Sequence, residues 1–324
     1  MMAGLQETYA ANSAEAAVLA RVRKVNPRIL LLVCLVLLVG TGLALTVPHF
    51  LSASSLTNIL RQWSVLLIVA LGATFVIAAG EIDLSVGSVV ALVSVLTAWA
   101  SKGDFAIPLI LLAALAVGLA VGTVNALLTL LFRLPSFLAT LGMLLIVKGV
   151  AMTISLQPMA VRDLDFIRFF RLKPLGLPIP FVIAAALAAV AWIAFHKTRF
   201  GNWTRAVGSH AESARLAGVA VARHKALVLV VGAMAAAIGG VILAGRTNYG
   251  IAQTAGGMEL DVIAAVVLGG GRLGGGTGNV LGTALGALLL TMIFTGIAVL
   301  GLPGPWQDIT KGALIGVAIL LMRR

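Results

Sequence analysis

The amino-acid sequence predicts an all-α polytopic membrane protein of about ten transmembrane helices, with broken, glycine-rich helix junctions. Three observations carry this. The chain is 60% hydrophobic and only 10% charged, and its mean hydropathy is +1.10. Apolar stretches of ~20 residues recur along it, the length a helix needs to cross a bilayer core. The strict apolar–polar alternation that a closed β-barrel requires is absent.

The elements follow in order. Residues 1–28 read as a cytosolic N-terminal arm and 29–322 as one membrane domain. Arg21, Arg23, Lys24 and Arg28 form a basic flank like that of a signal peptide. The apolar run behind them is long and lacks a small-residue cleavage site, so it is expected to remain as the first span. Spans then fall at about 29–47, 63–80, 84–101, 106–132, 135–157, 178–195, 225–245, 258–268, 278–299 and 306–322. SASSLTNILRQ at 52–62 reads as a short interfacial helix entering the second span. The stretch 258–268 is too short to cross unaided; it begins earlier or is a broken helix supported by its neighbours.

Loop charge gives the orientation. The arm is basic, as is the loop 196–224 with Lys197, Arg199, Arg205, Arg215 and Arg223. An even number of spans separates them, so both fall in the cytosol, and Arg323-Arg324 falls there too. The segment with Arg162, Arg168, Arg171 and Lys173 runs against this rule, since the span order places it outside. Asp163 and Asp165 offset it, and Asp165 is one helical turn from Arg168.

Several functions are excluded. A net charge of +12 belongs to the basic loops of a membrane protein rather than to nucleic-acid binding. Cys34 is the single cysteine, so no internal disulfide exists, and the histidines lack ligand spacing, so no metal site is expected. Gly269, Gly271 and Gly274 match a dinucleotide fingerprint in form. No βαβ unit surrounds them, so the stretch reads as a glycine-rich break between spans. No Gly-Lys-Ser/Thr triplet occurs, so the chain has no P-loop for ATP.

Candidate functional residues fall in three groups. In the loop 196–224, Ser209 reads as an N-cap, Glu212 as its capping-box partner and Gly218 as the stop of a short helix. Ala211, Ala214 and Ala217 give that helix a small face, beside Arg215 and Leu216. It either docks into a partner or is a solvated positive loop, and both readings stand. In GEIDLSVGS at 80–88, Asp83 caps the helix opening at Leu84, with Ser85 as a second acceptor, or it contacts a substrate. Gly80 and Gly87 allow a sharp turn and close packing there. Asn58, Asn125, Lys148 and Asn248 are polar residues in or beside spans. Each serves either a hydrogen-bonding substrate or a contact between helices.

Three stretches together resemble a known family. They are GEIDLSVGS at 80–88, VGSHAESARLAGV at 207–219 and ELDVIAAVVLGG at 259–270. They resemble, in order, the landmarks of sugar-type ATP-binding-cassette importer permeases, the ribose, xylose and autoinducer branch, and the similarity covers about 50–322. Glu81 stands where many members have glycine, and His210 and Ser213 replace the usual Asn and Ala. The resemblance implies a multi-pass permease subunit in a bacterial inner membrane, with both termini cytosolic and a path for a monosaccharide or related polyol. It marks Gly208, Ser209, Glu212, Ala214, Arg215, Leu216 and Gly218 as ATPase-coupling residues. It marks Gly80, Asp83, Ser85, Gly87, Glu259, Asp261, Gly269 and Gly270 as family landmarks at helix junctions. The implied partners are an ATPase subunit carrying ATP and Mg, an extracytoplasmic sugar-binding protein, a second identical or different permease chain, and the lipid bilayer. No cofactor is expected on this chain, and no catalytic residue. The rival reading is an ion-coupled secondary transporter or channel working without an ATPase, which would place ionisable residues mid-membrane.

Overall fold

The computed structural model describes residues 27–103, 105–253 and 256–322. Most of the arm 1–28, and Arg323-Arg324, lie outside the described residues. The chain runs through α1 (Pro27–Thr46), α2 (Ala53–Ala78), α3 (Val86–Ala100), α4 (Ile107–Leu130) and α5 (Ser136–Ile154). A two-residue strand β1 (Met159–Ala160), α6 (Leu164–Arg171), a 3₁₀ turn (Pro174–Gly176) and α7 (Ile179–Lys197) follow. Then come α8 (Arg199–Ser209), α9 (Ala211–Leu216), α10 (Val221–Thr247), β2 (Tyr249–Gly250), α11 (Met258–Leu268), α12 (Val280–Val299) and α13 (Pro305–Met322).

The all-α membrane class holds. Seven of the helices, α1, α2, α4, α5, α7, α10 and α12, are long and apolar enough to cross a bilayer. At the other expected spans, α3 has 15 residues and α11 has 11. Gly257 opens α11 in left-handed conformation, so 258–268 is a half-length helix that does not begin earlier. The separate interfacial helix at 52–62 does not exist: α2 is continuous over Ala53–Ala78. Ser52 caps it by accepting the Ser55 N–H, and the Thr57 hydroxyl donates back to the Ala53 carbonyl at 2.6 Å. The polar residues there are absorbed by their own helix, so polarity marks no boundary. The loop 196–224 is likewise mostly helical, filled by the end of α7, by α8 and α9, and by the start of α10.

The interior is built from α2, α3, α10 and α12. Of the best span in each helix, 78% is buried in α2, against 6% in α1 and 17% in α7. The buried helices therefore form a core, and the leucine-rich outer helices turn exposed side chains such as Leu38, Leu112 and Leu145 to their surroundings. Small residues set the spacing in the core. A Cβ on Gly118 of α4 would lie 2.9 Å from the Ala233 carbonyl oxygen of α10, and one on Gly72 of α2 would lie 2.6 Å from the Ala235 Cβ. Without a solvent-driven hydrophobic term, such close backbone approach is what holds membrane helices together.

Contacts between connecting segments fall into two sets. At one end, Ile82 N–H donates to Ser136 Oγ at 3.1 Å and Gly276 N–H to the Ala78 carbonyl at 2.9 Å. At the other, β1 pairs with β2, Met159 opposite Gly250. There Arg162 N–H reaches Ser101 Oγ at 2.9 Å, and Lys173 Nζ reaches Thr57 Oγ1 at 3.4 Å. Asp163 caps α6, and the expected Asp165–Arg168 ion pair forms at 3.1 Å, fully at the surface.

Candidate functional site

The first landmark is a helix stop followed by an extended strap. The Gly80 N–H bonds to the Ile77 carbonyl and the Glu81 N–H to the Val76 carbonyl, the double closure that ends a helix on a left-handed residue. Gly80 supplies it with φ +80°. Ile82 and Leu84 then have no helical partners for their N–H groups, and α5 supplies them. Its Ser136 and Thr140 hydroxyls accept the Ile82 and Leu84 N–H groups at 3.1 and 3.0 Å.

Asp83 is buried, but it does not cap a helix opening at Leu84. The helix α3 opens at Val86, with Ser85 at the cap position and no side-chain cap bond. Asp83 Oδ1 instead accepts the Ser85 N–H at 2.8 Å and the Ser85 hydroxyl at 2.6 Å. The carboxylate closes a local turn because the strap is still extended two residues later than the sequence suggests. Asn125 of α4, wholly buried, donates to Ser85 Oγ at 2.9 Å. Asn125 therefore braces the landmark from a neighbouring helix. Gly87 lies in the first turn of α3, so Gly80 alone makes the turn.

The second and third landmarks meet the first. A Cβ on Gly208 of α8 would stand 1.9 Å from the Ala78 carbonyl oxygen and 2.6 Å from the Gly276 nitrogen. No side chain fits there, and the end of α2, the end of α8 and the glycine break after α11 touch backbone to backbone. The break itself is non-helical over 269–279. Gly269 ends α11 and Gly270 takes φ +94°. Beside this triple contact, Lys225 at the start of α10 pairs with Glu81 at 2.5 Å, the Glu81 side chain being 8% exposed. The sequence offered no sign of that pair, because the two residues come from distant segments.

The helix α9 projects from this junction. Its N-cap is His210, whose side chain accepts the Ser213 N–H. Ser209 is not the cap, because it ends α8. Glu212 does not form a capping box; it pairs with Arg215 at 2.5 Å on the surface. That guanidinium holds the Glu212 carboxyl below its ordinary range. Gly218 stops the segment at φ +85°. Ala214 points inward and is buried with Val207 and Val219 of the same chain. Of the small face only Ala214 is consumed internally; Ala211 and Ala217 stay exposed, and beside them α9 presents outward Glu212, Arg215 and Leu216, the last 78% exposed.

The remaining candidates separate. Asn58 is exposed on α2. Asn248 ends α10 in left-handed conformation, and its carbonyl accepts the Val161 N–H at 2.9 Å. Asp261 pairs with Lys311 of α13 at 3.1 Å. Lys148 and Glu259 line one small cleft. Among the described residues no group of three or more His, Cys, Asp or Glu side chains is placed to hold a metal.

This geometry is a mechanical junction: the end of α8 is wedged against the end of α2 and the glycine break after α11, and an ion pair ties the strap after α2 to the start of α10. The family of branched-chain amino acid transport system permease components matches residues 55–320. The chain belongs to this permease family. The ribose import permease protein of Escherichia coli is 36% identical over 279 residues, covering 85% of this chain and 87% of that protein. The galactose/methyl galactoside import permease protein of Haemophilus influenzae is 33% identical, covering 85% of this chain and 88% of its own length. The autoinducer 2 import system permease protein of an Enterobacter species is 35% identical, covering 84% and 80%. No solved structure matches this chain. The chain is thus a transmembrane permease of an ATP-binding-cassette importer and not an enzyme in itself.

Proposed function

We propose that this permease carries a monosaccharide or related polyol into a bacterial cell across the inner membrane. The observation that carries the substrate class is identity of a third or more, over most of the chain, to permeases for ribose and galactose. Energy comes from a separate ATPase subunit that holds ATP and Mg; this chain binds no cofactor. An extracytoplasmic binding protein delivers the sugar, and a second permease chain, identical or different, completes the path.

Ten alternating elements make up the membrane domain 29–322, with α3 and α11 as the short ones supported by their neighbours and the 18-residue α13 as the last. The two sets of loop contacts favour this, because each contact joins segments of the same parity in the span order. The basic loops put both termini, the arm 1–28 and the loop 196–224 in the cytosol. There α9 meets the ATPase through Leu216, Arg215 and Glu212. ATP-driven motion of α9 passes to α8, whose Gly208 bears directly on the ends of α2 and the glycine break, and to α10 through Lys225 and Glu81. The core helices then rock between two access states.

The test is purification of the tagged chain from membranes and uptake of labelled D-ribose and D-galactose. An ATPase should co-purify, and uptake should stop when ATP is depleted. Uptake by the purified chain alone in liposomes, driven by an ion gradient, would replace this reading with the ion-coupled rival.

A further inference from the structure

Among the described residues, the groove of about 640 Å³ between α1, α2 and α12 is lined almost wholly by apolar side chains. One cleft differs. It measures about 170 Å³ and lies between α3, α5, the segment after β2 and the start of α11. Ser88, Leu144, Lys148, Gly257 and Glu259 line it. At roughly 30 Å³ per water, it has room for a handful of waters or one small ring.

Its polar groups are unusual for their position. Lys148 is six residues from the Ile154 end of α5, about 9 Å inside at 1.5 Å per residue. An ammonium within a span is costly unless something receives it. Yet Lys148 makes no hydrogen bond and no ion pair with any described residue. Glu259 stands on another wall of the same cleft. It accepts the Gly257 N–H at 3.2 Å and forms no ion pair with Lys148. Two opposite charges share a cleft without touching, which leaves the space between them for a third group. The half-length helix α11 also starts here, and interrupted helices mark substrate sites within membrane transporters.

We propose that this cleft is a binding step for a neutral polyol, with Lys148 donating to one hydroxyl and Glu259 accepting from another. The proposal rests on the sugar-importer reading above. A lone ammonium would favour an anion, but the facing carboxylate cancels it. A branched amino acid would need its charges on one side and an apolar slot on the other. Here the polar groups sit on three different walls, Ser88 on α3, Lys148 on α5 and Glu259 on α11, as hydroxyls around a ring require.

The test uses the assembled transporter in membranes, with D-ribose, D-xylose, D-galactose and L-leucine as probes. Lys148→Met and Glu259→Gln should each lower sugar uptake on the order of tenfold, the loss of one hydrogen bond to a charged group, with ATPase co-purification unchanged. In a Cys34→Ser background, Leu144→Cys keeps the polar groups and places a thiol in the cleft. A transported sugar should slow its reaction with a small thiol reagent, and should not slow that of Leu145→Cys on the exposed side of α5. Wild-type sugar uptake with normal uptake by both polar variants, or with no protection of the cleft thiol, overturns the cleft and leaves the importer reading intact. Uptake of L-leucine and no sugar, or of none of the four, overturns both.

Discussion

Glu81 and Lys225 meet at 2.5 Å with most of the carboxylate removed from water. Removing one partner leaves the other charge without its hydrogen bond in a partly dry site. Glu81→Gln should therefore cost about 2 kcal/mol of stability, read as a lowered unfolding temperature of the solubilised protein. Exchanging the pair, Glu81→Lys with Lys225→Glu, should restore most of it; a swap no better than the single changes would show that the two do not interact. Gly208 makes a sharper case. A methyl group there would meet the Ala78 carbonyl oxygen at 1.9 Å, with backbone on the other side as well. Neither neighbour is a flexible side chain that can move aside. Gly208→Ala should cost about 3 kcal/mol or more, and its expression and unfolding temperature should fall well below those of Gly142→Ala, where the backbone is helical and nothing lies within contact distance.

At the scale of the element, α9 has an inner and an outer face that do different things. Ala214 is buried with Val207 and Val219, so Ala214→Asp places a charge inside the protein and should damage the segment itself. Leu216 is 78% exposed, so Leu216→Asp leaves the fold untouched and removes an apolar contact from the surface offered to a partner. The expected result is normal insertion and thermal stability for Leu216→Asp, with loss of ATPase co-purification. Full ATPase binding and wild-type uptake by that variant would make α9 an ordinary solvated segment. Arg215→Ala should be milder, since its ion pair with Glu212 lies at the surface, where such pairs contribute little.

For the whole molecule, the arrangement of the two loop sets makes a sidedness prediction. In a Cys34→Ser background, Leu175→Cys and Leu216→Cys sit at opposite ends and are both well exposed. An impermeant thiol reagent added to intact cells should label the first and spare the second, and lysis should expose the second. Labelling of both from the same side would discard the alternating ten-element arrangement, although α6 would still carry its basic residues at the surface.

Hydropathy and motif order were enough to place the membrane class, the long apolar helices and the permease family, because each depends on residues near one another in the chain. A run of apolar residues long enough for a bilayer needs no knowledge of its neighbours. What lies far apart in sequence was decided only by the fold. His210 takes the cap expected of Ser209, because α8 continues through Ser209 and leaves the next residue as the first extended one. For Asn125 the sequence leaves a path residue and a contact between helices both open, and the fold sets it against Ser85; for Ala214 it leaves a docking contact and a solvated loop open, and the fold covers that side chain with its own chain. The Glu81–Lys225 pair and the cleft of Lys148 and Glu259 have no local signature at all. Side-chain type tells which bonds a residue can make, whereas helix packing decides which partner stands within reach, and in this protein that packing is set by small residues whose contacts cross the whole chain.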